Sequence, residues 1–490
     1  MFSQSQENRC TVAMSDAEHI IKFYNRIDEK DFTIDSGIKL FTVKQEKLRD
    51  YSVIVRIDRR RIPYWQAIRE VSVWWERFYT PVKPPESCFM PHYSTWYSFH
   101  QSVNSEKVEE QCKLAKELGC AGVILDDGWQ TPGEDVGYID AGDWNLCESK
   151  FPDMARHIKN IHALGMKYLL WLPLPFIGEK SNIYKGFYHK TLPYKRNRGG
   201  LSLLDPRYKE VRDYLTGFCI RAVKEWDIDG FKLDFIDQFR QPDTELPDAD
   251  GGRDFESVPL AAEQLLEDIT LAVRKLKNDS CFEFRQMYMG PTMRKYADML
   301  RAGDCPDDIL LNRVRTADLR LVSGNTAVHS DMISWNKNEK PEIAARQILN
   351  VIFSAVQVSV RINEITQQQK EMLKFWIDFS KKHRNVLLKG DFKPMYPQLL
   401  YPVISAENEN SEIVAAYAPF CLKYNGKSKT YFINASDSQR LFIEFAKPFK
   451  GKAVIYDCMG SIVKSCNISL SGAEIIDVPL SGLLALYECE

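Results

Sequence analysis

Asp229-Gly230-Phe231-Lys232-Leu233-Asp234-Phe235 is an apolar run that carries a cation and an acid two residues apart. The two-residue period of a strand puts Lys232 and Asp234 on one side of the chain, where both can enter one site. A cation beside Asp234 keeps it ionised, which a nucleophilic carboxylate must be. A structural salt bridge between Lys232 and a neighbouring acid is the competing reading, at even odds when the motif is taken alone. A second acid, Asp304, follows an apolar run in DMLRAGDCPDD. Burial, or proximity to Asp234, predicts a raised pKa and a proton donor near neutral pH. Together the two would support nucleophilic displacement assisted by acid and base. Pro306 ends the run, and Asp307 and Asp308 are better read as helix-capping residues.

Other polar groups close apolar runs in the same way. Asp126-Asp127-Gly128-Trp129 follows AGVIL; an isolated DDG is more often a turn with a helix cap. Trp171 in KYLLWLPLP, Trp96 and Trp129 offer flat apolar faces, although tryptophans so placed are core residues as often. Arg285 and Tyr288 in FRQMYMGP, Arg198 before LSLLDP, and His329 with Asp331 in AVHSDM are further candidates, each as easily a loop hydrogen-bonding group.

The elements that must position these residues form a repeat. From about residue 88 to 390, apolar strands alternate with amphipathic helices such as SEKVEEQCKLAKELG and PLAAEQLLEDITLAVRKLK, the signature of βα units on a parallel sheet. The strands are PHYSTWYSF, AGVILDD, KYLLWLPL, DGFKLDF, FEFRQMYM, DMLRAGD, AVHSDMISW and VQVSVRIN, eight in all, the number that closes a TIM barrel. In such a barrel reacting groups lie at the C-terminal strand ends, where these acids fall. A doubly wound open sheet would alternate in the same way, but no GxGxxG or Walker A sequence follows the first strand. Residues 1–87 read as a few strands and a Trp-rich helix over Tyr64–Tyr79, a segment short enough to be a truncated β-sandwich. Residues 391–490 carry only short strands between turns, as in an antiparallel β-sandwich. The expected class is α/β, a (β/α)8 barrel with a C-terminal β-sandwich.

Bulk properties exclude several functions. Lys plus Arg number 65 and Asp plus Glu 67, with no basic block, so nucleic acid and acidic membranes are poor partners. The longest apolar run, Leu169–Ile177, is interrupted by prolines and far short of the roughly 20 residues that cross a bilayer. MFSQSQENRC lacks the n- and h-regions of a secretory signal, which predicts a cytoplasmic protein, or a periplasmic one if the natural start is missing. The 12 cysteines and 8 histidines form no CxxC or HExxH motif, so no metal is expected.

LDDGW, WLPLP, GFKLDF and GDCPDD, in that order and on that spacing, resemble the glycoside hydrolase family 36 α-galactosidases, kin to families 27 and 31. The resemblance covers roughly residues 88–390. It implies a (β/α)8 barrel followed by a C-terminal β-sandwich, a retaining mechanism, an oligosaccharide or glycoside substrate, no cofactor and a homo-oligomer among the expected states. Through it Asp234 takes the place of the family's K-x-D nucleophile and Asp304 that of its S-D-N acid/base. Asp126 and Asp127 would hold sugar hydroxyls, Trp171 would floor the pocket, and Lys232 and Arg198 would bind hydroxyls beside the nucleophile. Two departures stand out: FRQMYMGPTMR replaces the family's cysteine-, serine- and glycine-rich stretch after the fifth strand, and S-D-N becomes Gly303-Asp304-Cys305. The first bears on which sugar is selected, leaving α-galactosidase, α-glucosidase and α-N-acetylgalactosaminidase as alternatives. A carbohydrate-binding barrel without turnover and a metal-dependent barrel lyase or hydrolase are the rivals from other classes.

Overall fold

The computed structural model describes residues 1–133, 137–193, 200–240 and 251–488. Eight parallel strands run around a barrel: His92–Ser94, Gly122–Leu125, Lys167–Pro173, Gly230–Asp234, Cys281–Arg285, Met299–Arg301, Ala327–His329 and Gln357–Val358. The first seven pair in parallel with their sequence neighbours, the eighth pairs with the first, and only isolated bridges, from His329 to Ala355 and Ile333 to Val358, link the seventh to the eighth. The eight runs expected from sequence are these eight strands. Gly122–Leu125 shows why such runs read as continuous apolar stretches: all four residues are buried, one set inside the barrel and the other under the helices.

The helices carry the sequence signals that place them. Ser105–Leu118 is capped by Asn104, whose side chain accepts from Lys107 N, and ends at Gly119 in the left-handed region at φ 109°. Ile309–Val322, which follows the sixth strand, is capped by Asp308 accepting from Leu311 N at 2.8 Å. The capping expected of Asp307 or Asp308 thus belongs to Asp308. Asp307 instead bends the chain before it, at φ 58°.

The N-terminal segment forms two antiparallel pairs, Thr11–Met14 with Val55–Asp58 and Lys22–Asp28 with Thr33–Lys39. The helix that follows spans Tyr64–Trp75, stopping four residues before Tyr79. It is tied to the barrel through Arg294, which donates to the carbonyl of Ser72 at 3.2 Å.

Beyond the barrel, Asp391–Met395 opens an eight-stranded sheet. Two of its pairings are parallel, Ser411–Ala416 with Lys429–Asn434 and Cys421–Tyr424 with Phe442–Phe445, so the sheet is mixed where the turn-rich sequence predicted antiparallel order. Ile404, Ala406 and Ile413 from this sheet join the same buried cluster as the barrel helices. No helix among the described residues is long and apolar enough to cross a membrane.

Candidate active site

Asp234 closes the fourth strand and is buried, with 6% exposure. Its Oδ1 accepts from Arg285 Nε at 2.7 Å and from the backbone N–H of Phe235 at 2.7 Å; its Oδ2 accepts from Trp171 Nε1 at 2.9 Å. Burial pushes the carboxyl pKa up, but Lys232, Arg285 and the indole together outweigh it and hold Asp234 below the ordinary range. The strands put these partners there: Lys232 lies opposite Trp171 on the third strand and Glu283 on the fifth.

Lys232 does not bond Asp234. Its Nζ donates to Asp126 Oδ2 at 2.6 Å, with both side chains at most 4% exposed. Both readings of the K-x-D pair therefore meet: Lys232 has a structural partner, and its field still reaches the neighbouring aspartate. Asp126 is fixed by the backbone, its N–H donating to Thr95 Oγ1 at 3.0 Å and its Oδ1 accepting from Asp127 N at 2.9 Å. Asp127 Oδ2 accepts from Gln101 Nε2 at 2.7 Å, while its Oδ1 is buried with no hydrogen-bond partner among the described residues. Burial, with a smaller push from Asp126, raises Asp127 to about 6. The turn needs Gly128: its φ is 115°, and a Cβ there would lie 2.6 Å from Cα of Gln101.

Asp304 lies just past the sixth strand with its side chain 55% exposed, and its Oδ1 accepts from Arg301 at 2.8 Å. The raised pKa expected of it is corrected. Burial does push upward, but Arg301, Lys232 and Arg285 outweigh it and hold Asp304 at about 2. Arg301 is itself buried at 1% exposure and also pairs with Asp331. Asp331 Oδ2 in turn accepts from Tyr97 Oη at 2.9 Å and from Cys305 N at 2.7 Å.

Of the remaining candidates, Tyr288 braces the site from behind, its hydroxyl donating to the carbonyl of Leu233 at 2.6 Å. Arg285 reaches Asp234 and lies with its guanidinium carbon 5.3 Å from the centre of the Phe235 ring. Trp129 is core: fully buried, it packs on Phe218 and Trp226 and donates to the carbonyl of Trp171 at 3.1 Å. His329 lies inside the barrel, bonded to the carbonyl of Cys88 at 2.7 Å. Arg198 falls outside the described residues. Among those residues no group of three or more His, Cys, Asp or Glu side chains is arranged to hold a metal ion.

Against this geometry, residues 92–390 match the Melibiase family model, more than half of the chain. The chain belongs to the Melibiase family. Among curated Melibiase-like relatives, α-galactosidase Mel36A of Lactobacillus acidophilus is 29% identical over 146 residues, 29% of this chain and 20% of the relative. α-Galactosidase AgaA of Geobacillus stearothermophilus is 21% identical over 385 residues, 74% of this chain and 51% of the relative. This chain therefore spans about half, or less, of the relatives it matches. The solved structure of that AgaA superposes with a TM-score of 0.62 at 15% identity, over 89% of this chain and 60% of the other, which shows a common fold.

Two residues of this candidate site escaped sequence reasoning. Arg301 is a charged residue at the end of an apolar run, the same signal that singled out Lys232, but it reads as part of the strand leading to Asp304. Tyr138 lies in a loop with no motif. Its ring packs 5.8 Å from that of Trp171 and 5.5 Å from that of Phe235, and burial together with Asp127, Asp234 and Asp126 suppresses ionisation of its hydroxyl. No period in the sequence could have placed it there.

Proposed function

We propose that this chain is a retaining glycoside hydrolase that releases terminal α-linked sugars, α-galactosides first, with Asp234 as nucleophile and Asp304 as acid/base. The observation that carries the reading is Asp234: a buried carboxylate kept ionised at the catalytic end of a barrel strand, aimed by an indole N–H and an arginine. The α-galactosidases among the Melibiase relatives supply the sugar. In the first step Asp234 attacks the anomeric carbon while a proton passes from Asp304 to the leaving oxygen. In the second, Asp304 takes a proton from water, which displaces Asp234 and restores the configuration. Trp171 offers an apolar face beside the nucleophile, and Asp126 and Asp127 offer acceptors to sugar hydroxyls. The ionised Asp304 of the sugar-free protein suits the second step. For the first step, substrate binding must loosen the Arg301 pair, and leaving groups that depart without a proton escape that requirement.

That pairing also favours a second reading, a carbohydrate-binding barrel without turnover, because both oxygens of Asp234 are engaged and Asp304 carries no proton at neutral pH. A fluorinated α-galactosyl fluoride separates the two. The hydrolase reading expects a covalent sugar on the peptide containing Asp234, seen by mass spectrometry, and release of the α anomer first, seen by proton NMR. Raffinose binding without any adduct, equal in the wild type and Asp234→Ala, would establish the binding barrel instead.

A further inference from the structure

We propose that a cavity at the N-terminal end of the barrel, opposite the mouth that holds Asp234, binds a small organic anion, a carboxylate or phosphate carried on an apolar ring. The cavity, of about 510 Å3, lies within the ~300–1,000 Å3 of ligand pockets. Residues 81–86, on the way into the first barrel strand, and residues 323–326, leading into the seventh, form its walls. The helix Tyr64–Trp75 contributes Arg69 and Ser72, and the first strand of the C-terminal sheet contributes Phe392. Three parts of the chain thus meet around it, the kind of junction at which ligand sites concentrate. Because the cavity lies on the far face of the barrel, the proposal does not depend on the hydrolase reading.

Its charge is unbalanced. Arg69, Lys83, Arg320 and Lys389 line it against the single acid Glu86. Glu86 pairs with Lys389 at 2.9 Å and with Arg384 at 3.1 Å, and Arg69 pairs with Asp391. That leaves Lys83 and Arg320, neither of which is in an ion pair among the described residues. Arg320 Nη1 donates to the carbonyls of Phe353 and Leu387 at 2.5 Å each, and Nη2 to that of Leu388 at 3.1 Å. Those bonds fix the guanidinium without opposing its charge. Burial alone bears on its pKa, pushing it down to about 10, with no carboxylate to pull it back. A buried cation without an anionic partner is costly, and an anion in the cavity offsets that cost.

The walls favour an organic anion over a bare one. Phe89, Phe392, Leu321 and Val328 are apolar, and an inorganic ion would leave them facing water. The cations lie against this surface: the Arg320 guanidinium carbon is 4.4 Å from the centre of the Phe392 ring, and Lys389 Nζ is 4.8 Å from that of Phe89. A ligand that meets both features needs an anionic head and an apolar body. The body gains from the apolar area it takes out of water, and the head from a charge-assisted bond to Arg320 or Lys83. Ser72 adds a hydroxyl to the same wall; it is 1% exposed and has no hydrogen-bond partner among the described residues.

Calorimetry on the full chain tests the site, with phenyl phosphate and phenylacetate set against inorganic phosphate and phenol. At least one of the two organic anions should bind with a Kd below about 1 mM, and about tenfold or more tighter than either inorganic phosphate or phenol. The one that binds better identifies the head group. Lys83→Met removes an exposed cation that holds no other residue in an ion pair, so the fold is left intact. It should weaken that binding about tenfold, the loss of one charge-assisted contact, while Lys83→Arg keeps it. Arg320→Gln should weaken it at least as much. That variant also frees three carbonyls, so circular dichroism must first show it folded; if it is not, the two Lys83 variants decide alone. Organic anions that bind no tighter than phenol and inorganic phosphate overturn the site, and so does full affinity in Lys83→Met.

Discussion

Replacing Arg301 by glutamine tests whether the ionised state of Asp304 limits the protein. Arg301 bonds Asp304 at 2.8 Å, and it heads the influences that hold that carboxyl at about 2. The largest single influence, burial, acts upward. Without the guanidinium, burial is opposed only by the weaker pulls of Lys232 and Arg285, so the carboxyl should climb toward the ordinary 3.8. Because the side chain is 55% exposed, solvent screens part of this, and we expect a rise of about 1–2 pH units. At pH 5 a carboxyl at about 2 is protonated in roughly one molecule per thousand, and one near the ordinary value in roughly one per sixteen, a gain of about sixtyfold at most. The assay is kcat/KM between pH 4 and 8 on raffinose, whose leaving sugar needs a proton, and on α-galactosyl fluoride, whose leaving group does not. Arg301→Gln should raise the raffinose-to-fluoride ratio at pH 5 by tens-fold at most, a gain that persists to pH 8 and shrinks toward pH 4 as the variant's carboxyl fills with protons. Loss of the ion partner of Asp331 is expected to cost about 3–5 kcal/mol of stability, lessened by the Tyr97 and Cys305 donors that remain. Circular dichroism must therefore show a folded variant before rates are read. A folded variant whose Asp304 signal shifts in carbon-13 NMR titration, but whose ratio stays flat, would refute Asp304 as the proton donor. An unshifted signal would refute the electrostatic account itself.

Three further outcomes follow from the buried charges. Lys232→Met strands Asp126 without its 2.6 Å partner in a site at most 4% exposed, and chemical denaturation should show a loss of about 3–5 kcal/mol. Tyr288→Phe leaves the Leu233 carbonyl without its 2.6 Å donor, which should cost about 1–3 kcal/mol and lower kcat on both test substrates by loosening the strand that carries Asp234. Asp127 titrates at about 6 in the fold against 3.8 when unfolded, so between those values the folded state holds the extra proton and stability falls as pH rises. This contribution, about 3 kcal/mol at most, is present at pH 4 and gone above pH 6, and Asp127→Asn should flatten that stretch of the stability–pH curve.

The barrel was legible because its strands are buried on both faces, so they read as short, mainly apolar runs, unbroken in Gly122–Leu125 and interrupted by Lys232, Glu283 and Arg301 in others. The C-terminal sheet was legible as strands but not as pairings. Ser411–Ala416 lies parallel to Lys429–Asn434 although the two are close in sequence. Such a pairing is set by what each strand packs against, which local periodicity does not carry. The residues of the candidate site were found by their position at strand ends, and the period of two correctly put Lys232 and Asp234 on one side. The acid that Lys232 pairs with could not be read, because Asp126 comes from the second strand and reaches it across the barrel interior.

What the sequence left open in the site comes down to two arginines. Arg285 and Arg301 are register partners on the fifth and sixth strands; Arg285 takes Asp234, and Arg301 takes Asp304 together with Asp331. Two bare aspartates facing each other would repel, and the one better able to hold a proton would become the acid. With a guanidinium on each, both are held below the ordinary carboxyl range. On the proposed hydrolase reading, the division into nucleophile and acid must then be imposed by the substrate. A sugar that draws Arg301 from Asp304 while leaving Arg285 on Asp234 would create it; one that frees neither would be bound and left intact. Selectivity of this kind would be expressed in kcat rather than in binding, so the sugars worth screening are those that bind and fail to react as much as those that turn over.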